Sequence, residues 1–317
     1  MSAEKARAST VETGTFMGVP RAQGDAASRA VIVGIPFDCG LHPLRVGARM
    51  GPAAIREQSG LVRPYQPPFA DFDVLEALGV VDAGDVDVVL GDLAESYRRI
   101  EDAVARIAAA GAVPVTFGGD GAVTLPQLRA LHRHHPDLAL LHFDAHTDTY
   151  PDAEPAGRNE PDYNPATTFA RSAEEGLLDL THSIHVGARG TIRQGGVFDY
   201  TRAKGYELIT GIDLAAGGIE DTLEHVRERL AGRPVYLCWD MDFFDPSCAP
   251  GVFTPTWGGV SAREGLAILH GLAGLDIAAC DVNTLSPLHD VGGMTAFLAA
   301  TVVVECLFLI AGRRVSP

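Results

Sequence analysis

Short runs that are apolar on both faces recur along this chain, and helical stretches separate them. The runs are "AVIVGIPFD" (30–38), "VVDAG" (80–84), "AVPVTFGG" (112–119), "LALLHFD" (138–144), "SIHVGA" (183–188), "YELIT" (206–210), "VYLCWD" (235–240) and "DIAACDV" (276–282). Each is rich in β-branched or aromatic residues and bounded by turn formers. Strands of this kind are covered by helices on both sides, as in parallel sheets. Between them, "LAESYRRIEDAVARIAAAG" (93–111) sets apolar residues at 93, 97, 100, 104 and 107 and closes on Gly111, the spacing and stop of an amphipathic helix. "IEDTLEHVRERLAG" (219–232) reads the same way, and "SAREGLAILHGLAG" (261–274) opens with the capping-box pair Ser261 and Glu264. This alternation predicts an α/β fold on a parallel sheet. Close spacing of the units predicts one domain over 30–317, preceded by a polar, irregular arm over 1–29.

Composition narrows the partners. The chain has 317 residues, 46% of them hydrophobic, enough for a large core. Its net charge of −16 repels nucleic acid and anionic membranes, so neither is expected as a partner. The cysteines Cys39, Cys238, Cys248, Cys280 and Cys306 are odd in number, widely spaced and free of CxxC pairs, which argues against a disulfide framework or zinc knuckle. No signal peptide opens the chain, and a cytoplasmic location is expected. "TAFLAATVVVECLFLIAG" (295–312) is short for a membrane span and carries Glu305, so it reads as a buried helix. The loop "YPDAEPAGRNEPDYNPATTF" (150–169) is of a length that compact domains keep for function.

Carboxylates gather at the strand ends. "HFDAHTD" holds Asp144, His146 and Asp148, and "CWDMDFFDP" holds Asp240 and Asp242. Ligands of open parallel sheets bind beyond the carboxyl ends of strands, and Asp120 and the segment "DVNTLSP" lie at two further ends. Four like charges in one cleft repel, and one or two divalent cations resolve that. Oxygen ligands with an imidazole suit Mn²⁺, and also Ni²⁺ or Zn²⁺. The bland alternative is that these aspartates cap helices or form surface pairs. His142, two residues before Asp144 on the same face, reads as a packed residue that supports the ligands from behind, as does Asp120. His289 is a weaker candidate. His132, His134 and His135 read as surface residues at a helix end; Arg45 and Arg49 are candidates to face substrate or a neighbouring subunit, with a surface or interface ion pair as the bland reading.

These motifs resemble those of the ureohydrolases, the arginases and agmatinases that hydrolyse guanidino compounds. "TFMGVP", "GIPFDCG" and "RVGARMGPAAIREQS" are similar to the agmatinase-type N-terminal third. "FGGDG", "FDAHTDTY" and "DMDFFDPSCAPGVFTPTWGG" match three signature regions, and "EEGLLDLTHSIHVGAR" and "SPLHD" fill in between. The resemblance implies an α/β/α sandwich around an eight-stranded parallel sheet, assembly into trimers or hexamers, and a bridged pair of Mn²⁺ ions, Ni²⁺ in some members. It also implies attack of metal-activated water on the guanidinium carbon. Carried over, Asp144 and Asp240 bridge the metals, His146 and Asp242 complete one ion, and Asp148 serves the other.

Three positions depart from the family pattern. Gly121 stands where GGDH supplies a histidine ligand. Pro165 stands where a histidine shuttles protons, and Thr284 where a glutamate holds the guanidinium. None of the three can do the chemistry of the residue it replaces. The expected holding is one Mn²⁺ or Ni²⁺ ion, a substoichiometric load, or none. The first functional expectation is a degenerate subunit that supports a paralogous catalytic subunit in a mixed oligomer acting on a small cationic guanidino substrate. Bacterial metformin hydrolases, Ni²⁺-dependent and built from one active and one degenerate chain, are the family case it resembles. The alternative is a self-sufficient, agmatinase-like amidinohydrolase with an altered site and an unusual guanidino substrate.

Overall fold

The computed structural model describes residues 14–23, 28–40, 42, 44–151 and 163–312. Among them, eight strands form one parallel sheet: β1 (Ala30–Gly34), β2 (Val81–Asp85), β3 (Val113–Phe117), β4 (Ala139–Phe143), β5 (Ile184–Ala188), β6 (Glu207–Thr210), β7 (Pro234–Asp240) and β8 (Asp276–Asn283). Every strand falls on one of the apolar runs. Their order across the sheet is β2-β1-β3-β8-β7-β4-β5-β6. The chain leaves β3, skips two places to lay down β4, builds outward to β6, and returns to fill the gap with β7 and β8. The carboxyl ends of β3, β8, β7 and β4 therefore meet at the centre, where the winding reverses.

Side chains alternate across the sheet and feed two cores, which makes the fold a three-layer α/β/α sandwich. Val113, Val115, Leu141, Phe143, Leu237 and Trp239 pack with the helices Gly51–Ser59, Ile219–Arg229, Ala262–Gly271 and Met294–Gly312. Leu138, Leu140, Tyr236 and Cys238 pack with Leu93–Ala109, Thr124–His132 and Phe169. The second face matters here, because residues two further along β4 and β7 share it. Asp144 follows His142, and Asp240 follows Cys238, so both carboxylates emerge on that face at the strand ends.

Helix Met294–Gly312 has the length and hydropathy of a membrane span, but most of it is buried within the domain. Its one charge, Glu305, pairs with Gln66 and with His270 Nε2 at 3.1 Å. The expected Ser261–Glu264 capping box is formed. Part of the expected 1–29 arm is structured: Phe16 is fully buried, and its N–H donates to Asp82 Oδ2 at 2.8 Å. Residues 1–13 and 24–27 of that arm, and 152–162 of the long loop, lie outside the described residues.

Candidate metal centre

Asp144 leaves β4 fully buried, and the following turn bends back over it. The His146 N–H donates to Asp144 Oδ1 at 3.0 Å, and the His146 Nδ1 lies 3.2 Å from the same oxygen and 3.5 Å from Asp242 Oδ2. Thr256 Oγ1, 3.3 Å from His146 Nε2, holds the far side of the ring. On the other flank Asp148, with φ +46, turns its carboxylate back toward Asp144 and Asp240. Donor atoms thus converge in two groups that share Asp144: Asp144, His146 and Asp242, and Asp144, Asp148 and Asp240, each within 4.8 Å of one another. All five residues expected to ligate are brought together. They line one cavity of about 380 Å³ with His42, Tyr150, Asn164, Arg193, Phe253 and others.

The electrostatics are those of a site built for positive charge. Burial opposes ionisation of Asp144, but His146 and His142 outweigh it and hold its carboxyl well below the usual range. Burial, and then the charge of Asp144, push Asp148 and Asp242 well up and Asp240 to about 7. Asp144 Oδ2 and Asp242 Oδ1 are buried and accept no hydrogen bond. A carboxylate oxygen is an acceptor only, and leaving it unpaired in the interior is costly. A cation bound among them removes both the repulsion and the unmet acceptors. Oxygen donors with one imidazole fit Mn²⁺ or Ni²⁺.

The three departing positions all border this centre. A Cβ built on Gly121 would stand 2.9 Å from Asp148 Oδ2, 3.8 Å from Asp240 Oδ2 and 3.7 Å from the Pro165 Cβ. Position 121 thus faces the Asp148 group, which contains no nitrogen donor. Pro165 lines the cavity at the start of a short turn of helix, Pro165–Thr167. Thr284 also lines it, in a left-handed conformation with φ +68. Its hydroxyl accepts from the Met241 N–H at 3.0 Å and donates to Asn283 O at 2.7 Å, so it is spent on the backbone.

The remaining candidates find other roles. Asp120 braces the β3 turn, accepting from Cys39 N at 2.7 Å and Ala122 N at 3.1 Å. His142 lies behind the carboxylates, with Nε2 3.4 Å from Asp144 Oδ2. Arg49 pairs with Asp38, and Arg45 donates to Val252 O and Pro250 O. His289 does not line the cavity. Asp281, passed over in the sequence, is a buried carboxylate on β8 that accepts from Thr116, Thr124, Gln127, Tyr236 and Asn283. With five donors it is saturated, and it ties strand to helix rather than binding a cation. His42 and Arg193 at the mouth were also not signalled, since neither sits in a dense motif.

A family model described as "Arginase family" matches residues 28–309. The chain belongs to the arginase family. This arginase-family chain is 38% identical over 299 residues to the guanidinopropionase of Pseudomonas aeruginosa, covering 94% of this chain and 91% of that protein. It is 35% identical over 291 residues to an agmatinase of Escherichia coli, covering 92% and 90%. Among solved structures, the proclavaminate amidino hydrolase of Streptomyces clavuligerus superposes with a TM-score of 0.89 at 33% identity, covering 95% of this chain and 98% of that one.

Proposed function

We propose that this chain is a metal-dependent amidinohydrolase that opens a guanidino C–N bond with water through its own altered site. The observation that carries this reading is the convergence of Asp144, His146, Asp148, Asp240 and Asp242 at one buried cavity in an arginase-family fold. Asp144, His146 and Asp242 would hold one divalent cation; Asp144, Asp148 and Asp240 offer a second, weaker place. Such a cation supplies Lewis acidity and a bound water of lowered pKa. The chain's own residues do the rest. His146 is held in orientation by Thr256, and the carboxylates concentrate positive charge where a guanidinium would lie. With Thr284 turned inward, no carboxylate at that position grips the guanidinium, so recognition must come from the other end of the substrate. Arg193 lines the mouth, stacked 5.3 Å from the Tyr150 ring centroid. Guanidino acids and agmatine are therefore both to be tried as substrates.

A second reading is supported by Gly121, Pro165 and Thr284 acting together. In it, the chain is the degenerate partner of a paralogous catalytic subunit in a trimer or hexamer of the metformin hydrolase kind, and carries little Mn²⁺ or Ni²⁺. One experiment separates the two. The chain is purified alone and after co-expression with its genomic neighbours. Metal content and urea release are measured with 3-guanidinopropionate, 4-guanidinobutyrate, agmatine and a biguanide. Turnover by the lone chain, abolished in D144N, supports the first reading. Turnover only in the mixed assembly, unchanged by D144N, overturns it in favour of the second.

A further inference from the structure

Beneath the carboxylates lies a second row of polar side chains that the proposed chemistry does not use. In the parallel register of β4 and β7, His142 stands directly opposite Cys238. Each lies two residues before a carboxylate of the centre, Asp144 and Asp240, and so shares its face. Both are about 1% exposed. A ring nitrogen of His142, the Cys238 Sγ and a carboxylate oxygen of Asp240 fall within 4.8 Å of one another. Individual separations are 3.9 Å from Sγ to Asp240 Oδ1 and 3.9 Å from Nε2 to Asp240 Oδ2.

Two observations lift this group above an ordinary core thiol. First, His142 Nε2 is buried and makes no hydrogen bond. The opposite ring nitrogen, Nδ1, is fixed 2.8 Å from His185 Nδ1, which aims Nε2 at the carboxylates. A histidine ligand is typically oriented in this way through its second nitrogen. Second, the sulfur lies among polar groups rather than in an apolar core. Asn283 Nδ2 approaches Sγ as a donor at 3.6 Å, and Sγ itself faces Asp240 Oδ1. The space above is also relevant. Gly121 leaves the Asp148 side without a nitrogen donor, and His142 brings one to Asp240 from below.

We infer that Cys238 and His142, with Asp240, form a deeper sulfur–nitrogen–oxygen site for a thiophilic divalent cation such as Zn²⁺, Co²⁺ or Ni²⁺. A tetrahedral ion with bonds of about 2.0–2.3 Å requires these donors to draw closer together than they stand without it. The ion reaches the site through the cavity, which Asp240 lines. The metal–sulfur bond forms as the thiol proton is displaced to water. Thiolate ligation shifts preference away from Mn²⁺, which favours oxygen donors.

This inference rests on the reading that the chain binds divalent cations, and the test separates the two. The full chain is stripped, then loaded with Zn²⁺ and with Co²⁺. X-ray absorption at the zinc edge is expected to show a sulfur neighbour at about 2.3 Å. Cobalt is expected to give a near-ultraviolet sulfur-to-metal charge-transfer band that C238S loses. C238S should also weaken Zn²⁺ at least about tenfold while leaving Mn²⁺ affinity nearly unchanged. A loaded chain with only nitrogen and oxygen neighbours sinks the deeper site and leaves the upper centre standing. A band that survives in C238S sinks it too, because another cysteine is then the donor. A chain that takes up no divalent cation sinks both. If C238S does not fold, the absorption spectrum of the unmutated chain decides the matter alone.

Discussion

The two halves of the centre start from the same scaffold and offer a cation different things. On one side, Asp144, His146 and Asp242 give oxygen and nitrogen donors, and the imidazole is held at both ends by Asp144 and Thr256. On the other side, Asp144, Asp148 and Asp240 give oxygen alone, and Gly121 faces them with no side chain. The sheet delivers Asp144 and Asp240 to both halves by strand register. The difference lies in the turns, since the turn after β3 contributes nothing and Asp148 reaches back through a left-handed residue. A rigid sheet can thus preserve the shared ligands while one loop alters what the second ion would meet.

The largest effect should follow from changing what the halves share. D144N replaces the carboxylate shared by both groups with a neutral amide and should lower divalent-metal affinity at least about 100-fold, since even supporting residues cost roughly 10–100-fold. Calorimetric titration and elemental analysis check it. Near-normal metal binding in D144N would mean that the two halves are not metal sites. Next come the private ligands. D242N should weaken binding by roughly 10–100-fold, whereas D148N should cost less than about tenfold, because the half it serves is already poorly furnished. Equal losses in the two variants would erase the proposed asymmetry. G121H should strengthen the weaker half by about tenfold and raise the metal content toward two ions per chain. The new side chain must displace the Asp148 carboxylate, whose oxygen lies 2.9 Å from the Cβ position. An unchanged stoichiometry would show that the turn, and not the missing imidazole, limits that half.

How far these halves could be read from the sequence follows from the range of the contacts involved. The strands were legible because each is a local run, and helix starts such as Ser261–Glu264 are local too. The convergence of Asp144, His146, Asp148, Asp240 and Asp242 was legible because a strand that is apolar up to its end carries its next residues to the sheet edge. What could not be read depends on partners far along the chain. Asp281 is saturated by Thr116 and Thr124, 165 and 157 residues away. The pairing of His142 with Cys238 requires knowing that β4 and β7 are neighbours. The inward turn of the Thr284 hydroxyl depends on Met241. The sequence marks position 284 as altered but does not show that its hydroxyl is already engaged.

The smallest effect on the centre, and the one that best separates a ligand from a brace, concerns pH. Asp120 and Asp240 both have carboxyls raised to about 7, in each case chiefly by burial. A group that holds its proton more tightly folded than unfolded adds stability at low pH and withdraws it as pH rises. With chelator present, the melting temperature should therefore fall between about pH 4 and pH 7, and Asp148 and Asp242, which are also raised, add to the fall. The shares of Asp120 and Asp240 should end above their folded pKa. The two contributions part company when metal is added. A cation at the centre favours the charged form of Asp240 and should remove its share of the slope. Asp120 accepts from Cys39 and Ala122 and belongs to neither donor group, so most of its share should remain until D120N removes it. If Mn²⁺ or Ni²⁺ flattens the whole slope in the unmutated chain, Asp120 is coupled to the metal directly and is more than a brace of the β3 turn. If metal leaves the slope untouched, Asp240 is not a ligand.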